Sequence, residues 1–310
     1  MTRVAAIDMG TNSTRLLVAD VIGHGVDATV ITIERRMTIT RLGQGVDADR
    51  RLHPDAIART LSALGEYGDV IRAHDVTAVR AVATSAARDA DNRDDLFGPA
   101  NGLIGARPEV ISGSDEAELS FLGATAELSG VTAPYLVVDI GGGSTEFVVG
   151  HRAPEASVSV DMGCVRLTEQ FLESDPPAPE ELSNAVGYVR DILRDVEQEV
   201  RGVASASTMI GLAGTVSTLA ALDIGLATYD RDRIHGYVLT RAAAEDAFRT
   251  LATESREERR HNPGLEPGRV DVIVGGAIVL VTILRTFDYD ELVVSESDIL
   301  DGMVRRLGTA

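Results

Sequence analysis

The sequence contains no lysine; all 29 basic residues are arginine. A Walker P-loop is therefore excluded, because its lysine is the group that reaches the β- and γ-phosphates. There is a single cysteine, Cys164, so no internal disulfide can form, and a reducing cytoplasm is the expected location. No positively charged, apolar leader opens the sequence. Long hydrophobic runs are missing as well. The longest, VIVGGAIVLVTIL (272–284), is short for a bilayer span and is expected as a buried helix. Positive charge is scarce overall. The net charge of −19 argues against nucleic acid as a partner, since its binders present a basic face.

What is present is the composition of a soluble globular protein, 44% hydrophobic and 25% charged. At 310 residues the chain is longer than one hydrophobic core usually supports, so two domains are expected. The exclusive use of arginine is explained most simply by coding bias. Even so, any phosphate ligand would meet forked guanidinium groups, which bind it bidentately.

One short pattern occurs twice. DMGTNST (8–14) and DIGGGST (139–145) both read D-x-G-x-x-S-T, and each lies between two runs of small apolar residues. Around the first copy, residues 3–33 read as two or three antiparallel strands, followed by a polar connection, ERRMTITRLGQGVDADRRL. A helix is expected over HPDAIARTLSALGEYGDVI, a strand at VTAVRAVAT, a helix at SAARDADNRDDLF, and a short strand at RPEVIS. A further helix, from about 115 to 128, leads to the second strand–loop–strand unit. Beyond it come a proline-marked amphipathic helix at PPAPEELSNAVGYVRDILRDVEQEV, a strand–turn–helix at TMIGLAGTVSTLAAL, and a final helix at SESDILDGMVRRL with acids early and arginines late. Each half thus opens with a hairpin and continues as mixed strand and helix, which predicts an α/β protein with a duplicated core.

A glycine-rich turn lets backbone N–H groups converge, a geometry suited to phosphate oxygens. Ser13, Thr14, Ser144 and Thr145 could add hydroxyl donors. Asp8 and Asp139, at the strand ends, could hold Mg²⁺ or simply cap their own turns. The second loop is not a Rossmann fingerprint: GGGSTE breaks G-x-G-x-x-G at Glu146, and a strand follows instead of a helix.

The loop pair, together with GLAGTVSTLAAL, resembles the acetate and sugar kinase/Hsp70/actin superfamily. Within it, AAIDMGTNSTRLLVAD, ATSAARDA, VISGSDEAELSFLGA, VVDIGGGSTEF, MGCVRLTE, PGLEPGRVDVIVGGAIVL and SDILDGMV occur in the order seen in the exopolyphosphatase/guanosine pentaphosphate phosphohydrolase (Ppx/GppA) family, over nearly the whole chain. The resemblance implies two related actin-like (ribonuclease H-like) domains with an interdomain cleft. These would span residues 1–125 and 126–310, with the last helix, about 297–310, available to pack back on the first domain. It also implies hydrolysis of the terminal phosphate of inorganic polyphosphate, or of the 5′ γ-phosphate of pppGpp, and a homodimer.

Residue by residue, the resemblance makes Glu116 the catalytic glutamate that orients or deprotonates water; the alternative is a first-turn glutamate stabilised by the helix dipole. Phosphate binding falls to Gly10, Asn12, Ser13, Thr14, Arg88, Gly141, Gly142, Gly143, Ser144, Thr145, Gly214 and Thr215. Arg88 could instead be a surface arginine, and Arg15 could point into solvent. Glu146 beside a phosphate loop is repulsive unless a cation intervenes, so Glu146 and Asp139, and less directly Asp8, are the expected ligands of Mg²⁺ or Mn²⁺. Cys164 and His235 are given no catalytic role. Longer relatives carry an additional helical region, so short polyphosphate chains are the expected substrate. A kinase or ATPase of the wider superfamily would need adenine and acceptor pockets that no segment announces. A non-catalytic polyphosphate or (p)ppGpp sensor would have little use for Glu116 and Glu146 together.

Overall fold

The structure, a computed structural model, describes residues 1–308. Among the described residues, eleven strands and thirteen α-helices divide between two compact units, Met1–Glu127 with Asp298–Gly308, and Leu128–Ser297.

The first unit runs β1 (Thr2–Met9), β2 (Ser13–Ile22), β3 (Thr29–Ile39), α1 (Val46–Asp49), α2 (Pro54–Ala73), β4 (Ala78–Ala83), α3 (Ser85–Asp89), α4 (Asp94–Ile104), β5 (Glu109–Val110) and α5 (Gly113–Glu127). The second runs β6 (Tyr135–Ile140), β7 (Thr145–Gly150), β8 (Pro154–Val160), α6 (Cys164–Phe171), α7 (Pro179–Glu199), β9 (Thr208–Leu212), α8 (Ala213–Ile224), α9 (Arg231–Ile234), β10 (Val238–Thr240), α10 (Arg241–Thr253), α11 (Arg256–Arg259), α12 (Ile273–Thr286) and β11 (Glu291–Val294). The last helix, α13 (Ile299–Leu307), returns to the first unit.

The sheets have the same plan. The first is ordered β3-β2-β1-β4-β5, and the second β8-β7-β6-β9-β11-β10. In each, the leading hairpin is antiparallel, a third strand extends it antiparallel, and the next strand pairs in parallel with the first. The second sheet adds β10 as an antiparallel edge. These are two related α/β domains.

Alternation explains why the middle of β1, Val4–Ile7, is apolar. Ala5, Ile7 and Met9 face a core shared with Leu64, Tyr67 and Leu96, while Val4 and Ala6 face one shared with Leu119, Leu300, Met303 and Val304. A strand covered on both faces has no solvent side to spend on polar residues. α12 is likewise buried from Ile273 to Leu284 within the second unit.

Two local expectations are corrected. The stretch read as a polar connection from Glu34 begins instead as the end of β3, which pairs with β2 as far as Ile39. Its charges are tolerated because β3 is an edge strand. The single helix expected at 85–97 is two, α3 and α4. Between them the Asn92 amide clamps Leu52, accepting from its N–H at 2.7 Å and donating to its carbonyl at 3.2 Å, which draws the backbone out of the helix.

α13 meets α5 backbone to backbone. A Cβ on Gly123 would lie 1.9 Å from the carbonyl oxygen of Asp298, and one on Gly302 would lie 2.0 Å from that of Leu119. Gly123→Ala should therefore lower stability by about 1–3 kcal/mol, the usual range for overpacking. Gly65→Ala, in an open position on α2, should instead raise it by up to about 1 kcal/mol. Denaturant unfolding of the two variants checks the pair.

Candidate active site

The two repeated loops fold alike. Gly10 N–H donates to the Ser13 carbonyl at 3.0 Å, and Gly141 N–H to the Ser144 carbonyl at 3.0 Å. In both loops the carbonyls are captured from behind. Thr11 O accepts from Gly43 N at 2.8 Å, and Asn12 O accepts from Thr40 N and Arg41 N at 3.1 and 2.9 Å. Gly141 O accepts from Cys164 N at 3.0 Å, Gly142 O from Val165 N and Arg166 N at 2.9 and 3.2 Å, and Gly143 O from Arg166 Nε at 2.9 Å.

These peptide bonds are trans, and in a trans peptide the C=O and the following N–H point in opposite directions. Holding the carbonyls therefore turns out the N–H groups of Asn12 and Ser13 in the first loop, and of Gly142, Gly143 and Ser144 in the second. Close approach makes this possible. A Cβ on Gly43 would meet Thr11 Cγ2 at 2.2 Å, and one on Gly163 would meet the Gly142 backbone at 2.4 Å.

The loops differ at one position in register. Asp8 lies across from Arg15, and Asp139 across from Glu146. In the first unit Arg15 neutralises the aspartate, with Nε and Nη2 donating to Asp8 Oδ2 at 3.1 and 2.6 Å. Arg15 is thus held by carboxylates instead of pointing into solvent. In the second unit the same place holds a second carboxylate. Asp139 is 7% and Glu146 1% exposed, and Ser159 Oγ donates to Glu146 Oε1 at 2.6 Å. Two buried carboxylates across one strand pair have the donor chemistry of a divalent-cation site. They would supply two ligands, because no group of three or more acidic, histidine or cysteine side chains is placed to hold a metal among the described residues.

Asp8 is a poorer candidate ligand on one oxygen and an open one on the other. Its Oδ2 is taken by Arg15, whereas Oδ1 is buried and has no hydrogen-bond partner among the described residues. Burial pushes the Asp8 carboxyl above its usual range, against the pull of Arg15. Asn12 is 7% exposed and both amide atoms lack a partner among the described residues. Leaving such atoms unsatisfied costs about 1–3 kcal/mol each, which suits a loop whose partner is a ligand.

The hydroxyls divide. Thr14 Oγ1 bonds Thr40 Oγ1 at 2.9 Å inside the core, and Thr145 Oγ1 donates to the Met162 carbonyl. Both threonine side chains are committed to their own fold. Ser13 and Ser144 are the hydroxyls left beside the outward N–H groups.

Arg88 and Glu116, expected to serve phosphate and water, are joined. Arg88 Nη1 donates to Glu116 Oε2 at 2.8 Å and to the Ile111 carbonyl at 3.2 Å. Glu116 stands in the first turn of α5 and its side chain is 12% exposed.

At the third turn, Ala213 adopts φ +65°, and a Cβ on Gly214 would lie 1.5 Å from Arg269 Nη1. The guanidinium of Arg269 therefore rests directly on Gly214, at the N-terminus of α8. Thr215 lies against Gly276 of α12 and close to the buried Cys164 thiol. Burial pushes that thiol up despite Arg269 and Thr215, so Cys164 is a packed thiol and no nucleophile. The second unit thus brings Asp139, Gly141–Glu146, Gly214, Thr215 and Arg269 into one neighbourhood. The sequence did not single out Arg269. Its only signal was an arginine directly ahead of the apolar α12, following Pro-Gly.

The chain matches the Ppx/GppA phosphatase family over residues 17–307. Among curated proteins, it is 46% identical to "Exopolyphosphatase 2" of Mycobacterium tuberculosis, with 99% of each chain covered. It is 33% identical to a "Bifunctional 3-dehydroquinate synthase/phosphatase" of Fusobacterium nucleatum, matching 97% of this chain and 46% of that one. Among solved structures, a Ppx/GppA family member from Aquifex aeolicus superposes with TM-score 0.81 at 34% identity, covering 98% of this chain and 96% of that one. An exopolyphosphatase from Cytophaga hutchinsonii gives TM-score 0.87 at 25% identity, covering 99% and 97%.

Proposed function

Because the chain belongs to the Ppx/GppA phosphatase family, of two-domain actin-like fold, and is a hydrolase of phosphoanhydride bonds, we propose that it releases terminal phosphate from inorganic polyphosphate. The observation that carries this reading is the pair of loops with outward N–H groups, one beside a neutralised aspartate and the other beside two carboxylates. Bare N–H donors suit phosphate oxygens, and they make no demand on the rest of the molecule, as an adenine or acceptor pocket would.

In this reading Glu116 orients the attacking water and accepts its proton. Arg88 fixes the Glu116 carboxylate and brings a cation to the phosphate being transferred. The N–H groups of Gly142, Gly143 and Ser144, with Arg269, hold phosphate oxygens in the second unit; those of Asn12 and Ser13 form a loop of the same kind in the first. Asp139 and Glu146 would hold Mg²⁺, or Mn²⁺ in its place, which when bound supplies neutralising charge for the polyphosphate. The same terminal anhydride occurs in pppGpp, so phosphate release from polyphosphate, pppGpp and ATP, measured side by side, decides the substrate.

Glu116→Gln preserves size but removes the base. Turnover should fall by about 10²–10⁴-fold while polyphosphate binding is kept. Near-normal turnover would reduce Glu116 to a first-turn residue of α5.

Mg²⁺ should raise the melting temperature of the protein without substrate, since a ligand at 100 times its Kd adds about 2.7 kcal/mol. Glu146→Ala should abolish that rise and shift the Mg²⁺ requirement of turnover upward. An unchanged thermal response in the variant would remove Glu146 from the cation site.

Short chains should be preferred to long ones at low salt. A surface of net charge −19 repels a long polyanion most, and added salt should help long chains more than short ones. The measurement is kcat/KM against chain length at two salt concentrations, and efficiency that climbs with length at low salt contradicts the proposal.

A further inference from the structure

Asp8 and Glu116 stand on different elements of the first unit, and α13 reaches both. Towards α5 the contact is steric. Asp298 and Gly302 of α13 interlock with Gly123 and Leu119, and Leu119 lies one turn beyond Glu116. Towards the first loop the contact is ionic. Asp298 Oδ2 accepts from Arg15 Nη1 at 2.5 Å, and the same guanidinium holds Asp8. Asp298 is itself fixed from behind. Its Oδ1 accepts from Leu300 N at 2.9 Å as the cap of α13, and Arg35 Nη1 lies 3.7 Å away. Arg35 Nη2 in turn donates to Asp301 Oδ2 at 2.5 Å. Five charges of alternating sign thus run Asp8–Arg15–Asp298–Arg35–Asp301; the three aspartates are at most 10% exposed, and each arginine is paired from both sides.

We propose that Asp298 is a positioning residue for the hydrolysis: through Arg15 it sets the Asp8 carboxylate at the first loop, and through α13 it ties that setting to the helix carrying Glu116. The proposal rests on the assignment of Glu116 given above. Two features favour it over a capping role alone. Asparagine caps a helix as well as aspartate does, so α13 by itself needs no charge at 298. Buried ion pairs contribute little net stability once desolvation is counted, so four in a row are poorly explained as a stabilising device. They do fix geometry, and at a reacting centre a displacement of about 1 Å can cost about 10²-fold in rate.

Asp298→Asn keeps the shape and the cap and removes the charge. It should lower kcat by about 10- to 100-fold, with KM changed less than about threefold and the melting temperature nearly kept. Arg15→Gln removes the other end of the contact. If the two act as one unit, the double variant should be no slower than Arg15→Gln alone, whereas independent residues would multiply. Arg306→Ala is the control: it breaks the exposed Arg306–Glu118 pair between the same two helices, and should leave kcat unchanged. Wild-type kcat in Asp298→Asn, or multiplicative losses in the cycle, overturns the proposal. Should Asp298→Asn fail to fold, Arg15→Gln, which leaves the cap intact, decides it; wild-type kcat there also overturns it. Glu116→Gln run in parallel separates the two claims. If Glu116→Gln is inactive and Asp298→Asn is normal, only the positioning role falls; if Glu116→Gln turns over normally, the assignment beneath it falls.

Discussion

A peptide plane has two edges, and both loops depend on what is done with one of them. Amides of Thr40, Arg41 and Gly43 in one domain, and the start of α6 in the other, take the carbonyl edges of the loops. The N–H edges have no choice but to face the other way. Much of the surrounding sequence follows from this. Gly43 and Gly163 are needed because a side chain would push the capturing backbone off the loop. The buried threonines, bonded to Thr40 and to the Met162 carbonyl, hold the strands that carry the loops. The outward N–H edges are a property of backbone orientation, with side chains tuning the local charge.

That tuning is where the duplicated halves part. A single cross-strand position carries Arg15 in one copy and Glu146 in the other. With arginine, the aspartate opposite is neutralised within the chain. With glutamate, two buried carboxylates face each other across the strand pair. Positive charge in this acidic chain is itself compensated. Arg15, Arg88 and Arg269 are each paired with a carboxylate, through Asp8, Glu116 and Glu266, so none is presented as a bare cation.

The repeated loop, the hairpins around it and the long helices were legible because they are written locally, as period-two alternation, glycine turns and helical spacing. The strand end at Thr38–Ile39 was not, because its charged neighbours read as a connection and only the pairing with β2 makes them a strand. The break at Asn92 depends on a clamp to Leu52, forty residues away. The candidate site residues read from the sequence all lie inside its motifs. Arg269, whose meaning comes from lying on Gly214, and Asp298, whose meaning comes from Arg15, were not marked as site residues, since no local pattern encodes a contact across 55 or 283 positions.

The path of α13 also has a bearing on how the chain acquires its structure. One face of the first sheet, with Val4, Ala6, Leu17 and Ala19, is covered by Leu300, Met303 and Val304 from the far end of the chain. During synthesis those strands emerge before the whole of the second domain, and wait for their cover until that domain has been made. The second domain is continuous in sequence, from Leu128 to Ser297, and can close its own core before then. The first domain to be translated is thus the last to be completed, and until that moment its sheet exposes an apolar face.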